Sequence, residues 1–175
     1  MKTILIAAVA GLTLIASAQA DETTLTVQAV SPQGVGKAIG KVRFVDTAAG
    51  MTILPALKGL PAGWHGLHVH QNPDCTAREQ DGKPVAALAA GGHYDPADTK
   101  AHQGPHAVGH LGDLPALYVD AKGSADQIAL APRLKVADLK GRSLIVHAGA
   151  DNYADQPLPL GGGGARIACG VFGAK

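Results

Sequence analysis

The chemistry of this chain is carried by where its histidines stand. His68 and His70 lie two apart in Gly66-Leu67-His68-Val69-His70. In an extended strand residues i and i+2 project from one face. The two imidazoles therefore point the same way, and Val69 points to the other side, where it can enter a core. Imidazoles paired on a rigid strand suit a transition metal, since copper, zinc, iron and nickel all accept this ligand. Downstream, His93 sits in Gly91-Gly92-His93-Tyr94-Asp95-Pro96. His102, His110 and Asp113 fall within twelve residues, and His147 closes Ser143-Leu144-Ile145-Val146-His147. Two His and one Asp suit Zn²⁺, which takes nitrogen and oxygen ligands tetrahedrally. His68, His70 and His147 make an all-imidazole set of the kind copper accepts. His93 lies between the two groups in sequence and has two ring nitrogens, so as an imidazolate it could ligate both metals.

Each placement alone has an ordinary explanation. A loop histidine such as His102 is commonly solvated. Gly109-His110-Leu111-Gly112-Asp113 reads as a turn whose Asp accepts backbone N–H bonds. A strand-end histidine such as His147 is more often a satisfied polar residue than a ligand. Together, in one small domain, they favour a metal centre. Such a centre leaves more than one class of function open. A metal buffer needs ligands but no turnover. A zinc hydrolase needs an open zinc position, which a full set of His93, His102, His110 and Asp113 does not leave.

The elements that must position these residues read as strands. Thr24–Val30 alternates polar and apolar, Ile39–Asp46 and Met51–Leu57 follow after turn signals, and the His68 strand comes fourth. Pro55 suggests an edge or a bend in the third strand. From Gln71 to about Leu114 the alternation stops; a stretch of about forty residues without regular structure is unusual in a compact domain and commonly functional. Strands resume at Ala116–Val119, Gln127–Ala131, Ser143–His147 and Arg166–Phe172, with a short helical turn between Lys135 and Gly141 and a second irregular loop from Ala148 to Gly164. The expected fold is all-β: an eight-stranded antiparallel Greek-key flattened barrel or sandwich with two long loops.

The first twenty residues fit a cleaved secretory signal: Lys2, an apolar Ile4–Ile15 run, then Ser17-Ala18-Gln19-Ala20. The domain is then 21–175, about 155 residues, enough for one core. No stable membrane insertion is expected. The formal charge is +1, from 15 Lys and Arg against 14 Asp and Glu, with no basic cluster, which argues against nucleic acid as a partner. Phe, Trp and Tyr make up 3% of the chain, too few for an aromatic sugar- or base-binding platform. In an exported protein the two cysteines, Cys75 and Cys169, are expected to form one disulfide. Cys75 as a thiolate ligand beside His68 and His70 is the weaker alternative.

Across the mature chain these stretches resemble the bacterial periplasmic copper-zinc superoxide dismutases. The resemblance is carried by Gly66–His70, Cys75, Gly91–Pro96, Gly109–Pro115, Ala131-Pro132-Arg133-Leu134, Val146–Gly149 and Gly161–Gly170. It implies dismutation of superoxide to oxygen and hydrogen peroxide in the periplasm, with one copper and one zinc per subunit. By position, His68, His70, His93 and His147 resemble the copper ligands, and His93, His102, His110 and Asp113 the zinc ligands, with His93 bridging. Asp151 resembles the carboxylate that links a copper ligand to a zinc ligand, and Arg166 the arginine that guides the anion. Cys75 and Cys169 resemble the family disulfide. His65 and His106 match no ligand position and are expected to be surface or structural. Leu67 stands where the family more often has Phe. A homodimer is compatible with the sequence.

Overall fold

The computed structural model describes residues 20–173. The expected leader over residues 1–20 lies, but for Ala20, outside the described residues. Twelve strands are present: β1 (Glu22–Ser31), β2 (Gly34–Thr47), β3 (Gly50–Lys58), β4 (Gly63–His65), β5 (Leu67–His70), β6 (Arg78–Gln80), β7 (Lys83–Val85), β8 (Leu117–Val119), β9 (Ser124–Ala125), β10 (Ala129–Ala131), β11 (Ser143–His147) and β12 (Arg166–Val171). Three short 3₁₀ turns accompany them, one at Val136–Leu139 where a helical turn is expected, and no α-helix occurs among the described residues.

The main sheet runs β10-β3-β2-β1-β12-β11-β5, with β9 also paired to β3. Every pairing is antiparallel. The first and last strands are neighbours, and β5 lies beside β11 rather than beside β3, so the chain crosses between edges as the Greek-key expectation requires. Alternation decides what each strand buries. Leu25 and Val27 of β1, Val42 and Phe44 of β2, Leu67 and Val69 of β5, and Leu144 and Val146 of β11 share one core. Each such side chain, once buried, contributes about 1.5–3 kcal/mol. Leu67 is 2% exposed and packs in this core.

The opposite face of β11 carries Ser143, Ile145 and His147. Ile145 belongs to a second buried cluster with Val30, Cys75, Ala86, Ala87, Ala90 and Cys169. Cys75 and Cys169 are joined as a disulfide, which removes Cys75 from the set of available metal ligands.

Three local features depart from the expected elements. The stretch after Gln71 contains a small hairpin, β6–β7, turning at Asp81-Gly82; both turn residues have positive φ, as an Asp-Gly hairpin turn requires. Gly66 separates β4 from β5, and β4 pairs with β8 outside the main sheet. Pro55 is not on an outer edge. β10 pairs with Met51–Ile53 and β9 with Leu57–Lys58, and Pro55 falls in the interval between them, where no neighbour needs its missing N–H.

Candidate metal centre

The long loop is organised by the free edge of β5. Backbone bonds run from Gln71 N–H to Gly92 O, from Tyr94 N–H to Val69 O, from Val69 N–H to Gly112 O and from Leu114 N–H to Leu67 O. The loop thus replaces a neighbouring strand, which satisfies the edge. It also sets His93 opposite His70 and Asp113 opposite His68. The approach is close at Gly112, where an added Cβ would lie 2.3 Å from Val69 O. On the other side of β5, Ser143 pairs with His70 and Ile145 with His68, which brings His147 to the same end.

All six histidines and Asp113 that the sequence groups together are buried. His68 and His70 share a face, with ring centroids 6.3 Å apart; His147 is 4.8 Å from His68 and His93 is 3.9 Å from it. His70 donates from Nδ1 to Gly91 O at 2.9 Å and His147 from Nδ1 to Gly164 O at 3.0 Å. A neutral ring that donates from Nδ1 carries no proton at Nε2. The two Nε2 atoms are nevertheless 3.4 Å apart, so they are two lone pairs facing one position, not a hydrogen bond between the rings. A cation there would satisfy both.

The same holds deeper in the cluster. His68 donates from Nε2 to Asp151 Oδ2 at 2.7 Å and His102 from Nε2 to Asp151 Oδ1 at 2.8 Å. His93 Nδ1 lies 2.9 Å from Asp113 Oδ1. The remaining nitrogens, His68 Nδ1, His93 Nε2, His102 Nδ1 and His110 Nδ1, are buried with no hydrogen-bond partner. His102 Nδ1 stands 3.0 Å from Asp113 Oδ2 and His110 Nδ1 3.4 Å from Asp113 Oδ1, near one another without hydrogen-bond geometry. Buried polar atoms are rarely left unpaired, and four that converge fit metal ions. Two compact sets of donors exist: His68, His70, His93 and His147, and His68, His93, His102 and Asp113. His93 is in both. The second set contains His68 where the sequence grouping has His110, which lies further out, its ring 5.3 Å from His93 and 6.0 Å from His102.

Gly161 lies against Asp151. At Gly161 φ is +73°, and a Cβ would fall 2.0 Å from Asp151 Oδ1 and 2.7 Å from His102 Nε2. The missing side chain makes room for the Asp151–His102 bond. Arg166, at the start of β12 and paired with His147, is half-buried. Its Nη1 donates to Ala87 O and its Nη2 to Gly91 O at 2.7 Å. Two of its five N–H groups are so used.

Charge in the site follows from burial and from two carboxylates. Burial, with the nearby His93, pushes His68 down to about 3, and burial likewise lowers His147 to about 4 and holds His70 and His93 below the usual range. Burial also pulls on His102, but the adjoining carboxylates of Asp113 and Asp151 outweigh it and raise the ring to about 9. Asp113 and Asp151 stay ionised: burial opposes this, and the close approach of His102 to both, of His93 to Asp113 and of His68 to Asp151 prevails. Neutral imidazoles and ionised carboxylates are the forms that ligate metals.

Of the two remaining histidines, His106 is exposed. His65 is 2% exposed, with Nδ1 2.7 Å from His147 O and Nε2 2.9 Å from Pro61 O. It ties the end of β4 to the end of β11. Its local sequence gives no sign of this, because Gly66 breaks the alternation that marks His68 and His70.

Comparison with known proteins agrees with this geometry. Residues 38–172 match the family model described as copper/zinc superoxide dismutase (SODC). The chain is similar to the superoxide dismutase [Cu-Zn] of Brucella abortus, 50% identical over 154 residues that cover 87% of this chain and 89% of the relative. It is similar also to that of Escherichia coli K12, 48% identical over 166 residues, 94% and 96% of the two chains. Among solved structures, the Cu/Zn superoxide dismutase from Brucella abortus superposes with a TM-score of 0.86 at 49% identity, covering 87% of this chain and 100% of that one. The monomeric copper, zinc superoxide dismutase from Salmonella enterica does so with a TM-score of 0.79, at the same identity and coverage. A donor cluster of buried imidazoles and a carboxylate, on a curled antiparallel sheet that matches these structures, places the chain in the copper/zinc superoxide dismutase family.

Proposed function

We propose that the chain dismutates superoxide to oxygen and hydrogen peroxide, with copper held by His68, His70, His93 and His147 and zinc held by His93, His102, His110 and Asp113, one ion of each per chain. The observation that carries this reading is the pair of four-donor sets, which have His68 and His93 in common: His68 has one nitrogen committed to Asp151, so His93 is the ring that can serve both. Copper, when bound, supplies the one-electron exchange that two superoxide anions need, and zinc supplies a redox-inert charge that fixes its ligands.

The remaining work falls to the chain. Gly91 O and Gly164 O hold His70 and His147 with Nε2 inward, and Asp151 holds His68 with Nδ1 inward, so ligand orientation is set before any metal arrives. His93 is buried between the two sets and can hold a proton at Nε2 in one half of the cycle and release it in the other. The guanidinium of Arg166 gives the small anion a fixed positive partner; fields of this kind raise on-rates about 10–10³-fold and fall with salt. That general magnitude is one for which this enzyme class is itself a standard example.

The mature domain is taken as 21–175 and its location as the periplasm, on the strength of the leader-like first twenty residues. No helix among the described residues is long and apolar enough to cross a membrane. A homodimer remains compatible with the chain.

The shared role of His93 is tested by Cu(II) electron paramagnetic resonance on protein with Co(II) in the zinc position. A bridging imidazolate couples the two spins and quenches the copper signal. An unperturbed signal with both metals bound would remove His93 as the bridge and favour a metal buffer.

A further inference from the structure

We infer that Arg133 is a positioning residue for the zinc half of the site, acting by gripping the two backbone carbonyls that precede His110. This rests on His110 being a zinc ligand, as proposed above. Arg133 follows β10, which lies at the opposite end of the main sheet from β5. Its Nη1 donates to Ala107 O, and its Nη2 donates to Gly109 O at 2.9 Å. A guanidinium fork on two carbonyls is charge-assisted and fixes direction as well as distance.

His110 is where such a grip matters. Each of the other rings proposed to take a single metal is oriented by a hydrogen bond of its own: His68 and His102 by Asp151, His70 by Gly91 O and His147 by Gly164 O. Among the described residues, His110 has no hydrogen bond from either ring nitrogen. The direction of its imidazole is left to its backbone. That backbone belongs to an outlying stretch in which His106, Ala107 and Val108 are exposed, Val108 at 81%. Its own ties are few: His110 N–H to Ala101 O at 2.9 Å, Gly109 N–H to Ala107 O at 3.1 Å and a long bond from Asp113 N–H to His110 O at 3.4 Å. The Arg133 fork supplies what the ring lacks, and it does so from a residue that follows the strand at the other end of the sheet order from β5.

The test compares the copper- and zinc-loaded protein with Arg133→Gln and Arg133→Lys. Zinc release to a chromogenic chelator, the Co(II) absorption of the cobalt-substituted zinc position and the Cu(II) visible spectrum are measured on each. Loss of a residue that orients a ligand weakens metal binding about 10–100-fold. R133Q is therefore expected to release zinc about 10-fold faster or more, with an altered Co(II) spectrum and an unchanged copper spectrum. R133K, which keeps the charge without the fork, should fall between. Zinc release from R133Q at the unsubstituted rate would overturn the inference, as would equal loss of both metals, which marks a general effect on the fold. Should R133Q fail to fold, the same readouts on R133K decide. Failure of the unsubstituted protein to take up zinc would instead overturn the ligand assignment on which the inference rests.

Discussion

His70 and Arg166 hydrogen-bond to one and the same acceptor, the carbonyl oxygen of Gly91, at 2.9 Å from Nδ1 and 2.7 Å from Nη2. The ring proposed to face the metal and the cation proposed to face the anion are thereby held in fixed relation by a single peptide unit. Burial lowers the guanidinium from its ordinary value, and it stays charged at any working pH. Arg166→Glu reverses the charge offered to the substrate without removing a proposed ligand. The rate should fall by about 10-fold or more, and most at low ionic strength. Metal analysis of the same sample should still find copper and zinc. Unchanged activity at low salt would take Arg166 out of the mechanism.

The peptide at Gly91 belongs to the loop that the disulfide fastens. Cys75 starts this segment and Cys169 lies on β12, three residues beyond Arg166, with a sequence separation of 94 between the two cysteines. Reduction should cost about 4–5 kcal/mol of stability in the chain-entropy account. It should also lower activity before copper is lost, since the carbonyls of Ala87 and Gly91 that hold Arg166 sit on the freed loop. Denaturant unfolding and activity under reductant, with copper followed spectroscopically, check both parts. Copper leaving in step with activity would contradict the second.

Asp151 joins a ring from each donor set, and Gly161 leaves the space in which it does so. Gly161→Ala places a Cβ within 2.0 Å of Asp151 Oδ1, on a backbone with φ of +73° that L side chains rarely adopt. The carboxylate must move, and His102 loses its orienting bond. Zinc affinity should drop about 10–100-fold, as for Asp151→Asn. Competition with a chelator of known affinity measures it. Unchanged zinc affinity in both variants would show that Asp151 does not orient His102.

Acid and base should act on the metal-stripped protein through different rings. His68 at about 3, His147 at about 4, and the lowered His70 and His93 bind fewer protons folded than unfolded below about 6.5. Stability must therefore fall as pH drops from about 6.5 toward those values. His102, raised to about 9, works in the other direction: its contribution is complete below about 6.5 and is lost as pH rises to about 9. Urea unfolding across this range should give a maximum near pH 6–7. Stability that is flat from pH 7 to 5 would contradict the neutral-imidazole description.

The metal strand was legible because it is local. His68-Val69-His70 obeys a period of two, and Ser143–His147 likewise sends Val146 into the core and His147 to the opposite face, where it too is buried. The eight sheet segments were legible for the same reason. The Asp81-Gly82 hairpin carried its own signal, an Asp-Gly pair flanked by short polar strands, and is hidden only by the absence of apolar alternation in β6, where all three residues are exposed. The roles of His65 and Arg133 were not legible. Each acts on a backbone carbonyl far away in sequence, 82 residues for His65 and 26 and 24 for Arg133, and any residue can supply a carbonyl. The site's composition could be read from side chains; its alignment depends on main-chain acceptors that leave no mark in the residue types.

The most direct test of the account is superoxide decay followed on a sample whose copper and zinc have been measured. The account predicts one copper and one zinc per chain, with decay proportional to protein concentration over many equivalents of superoxide, abolished by copper removal. Both metals bound in those amounts, with superoxide decaying no faster than in buffer, would contradict it.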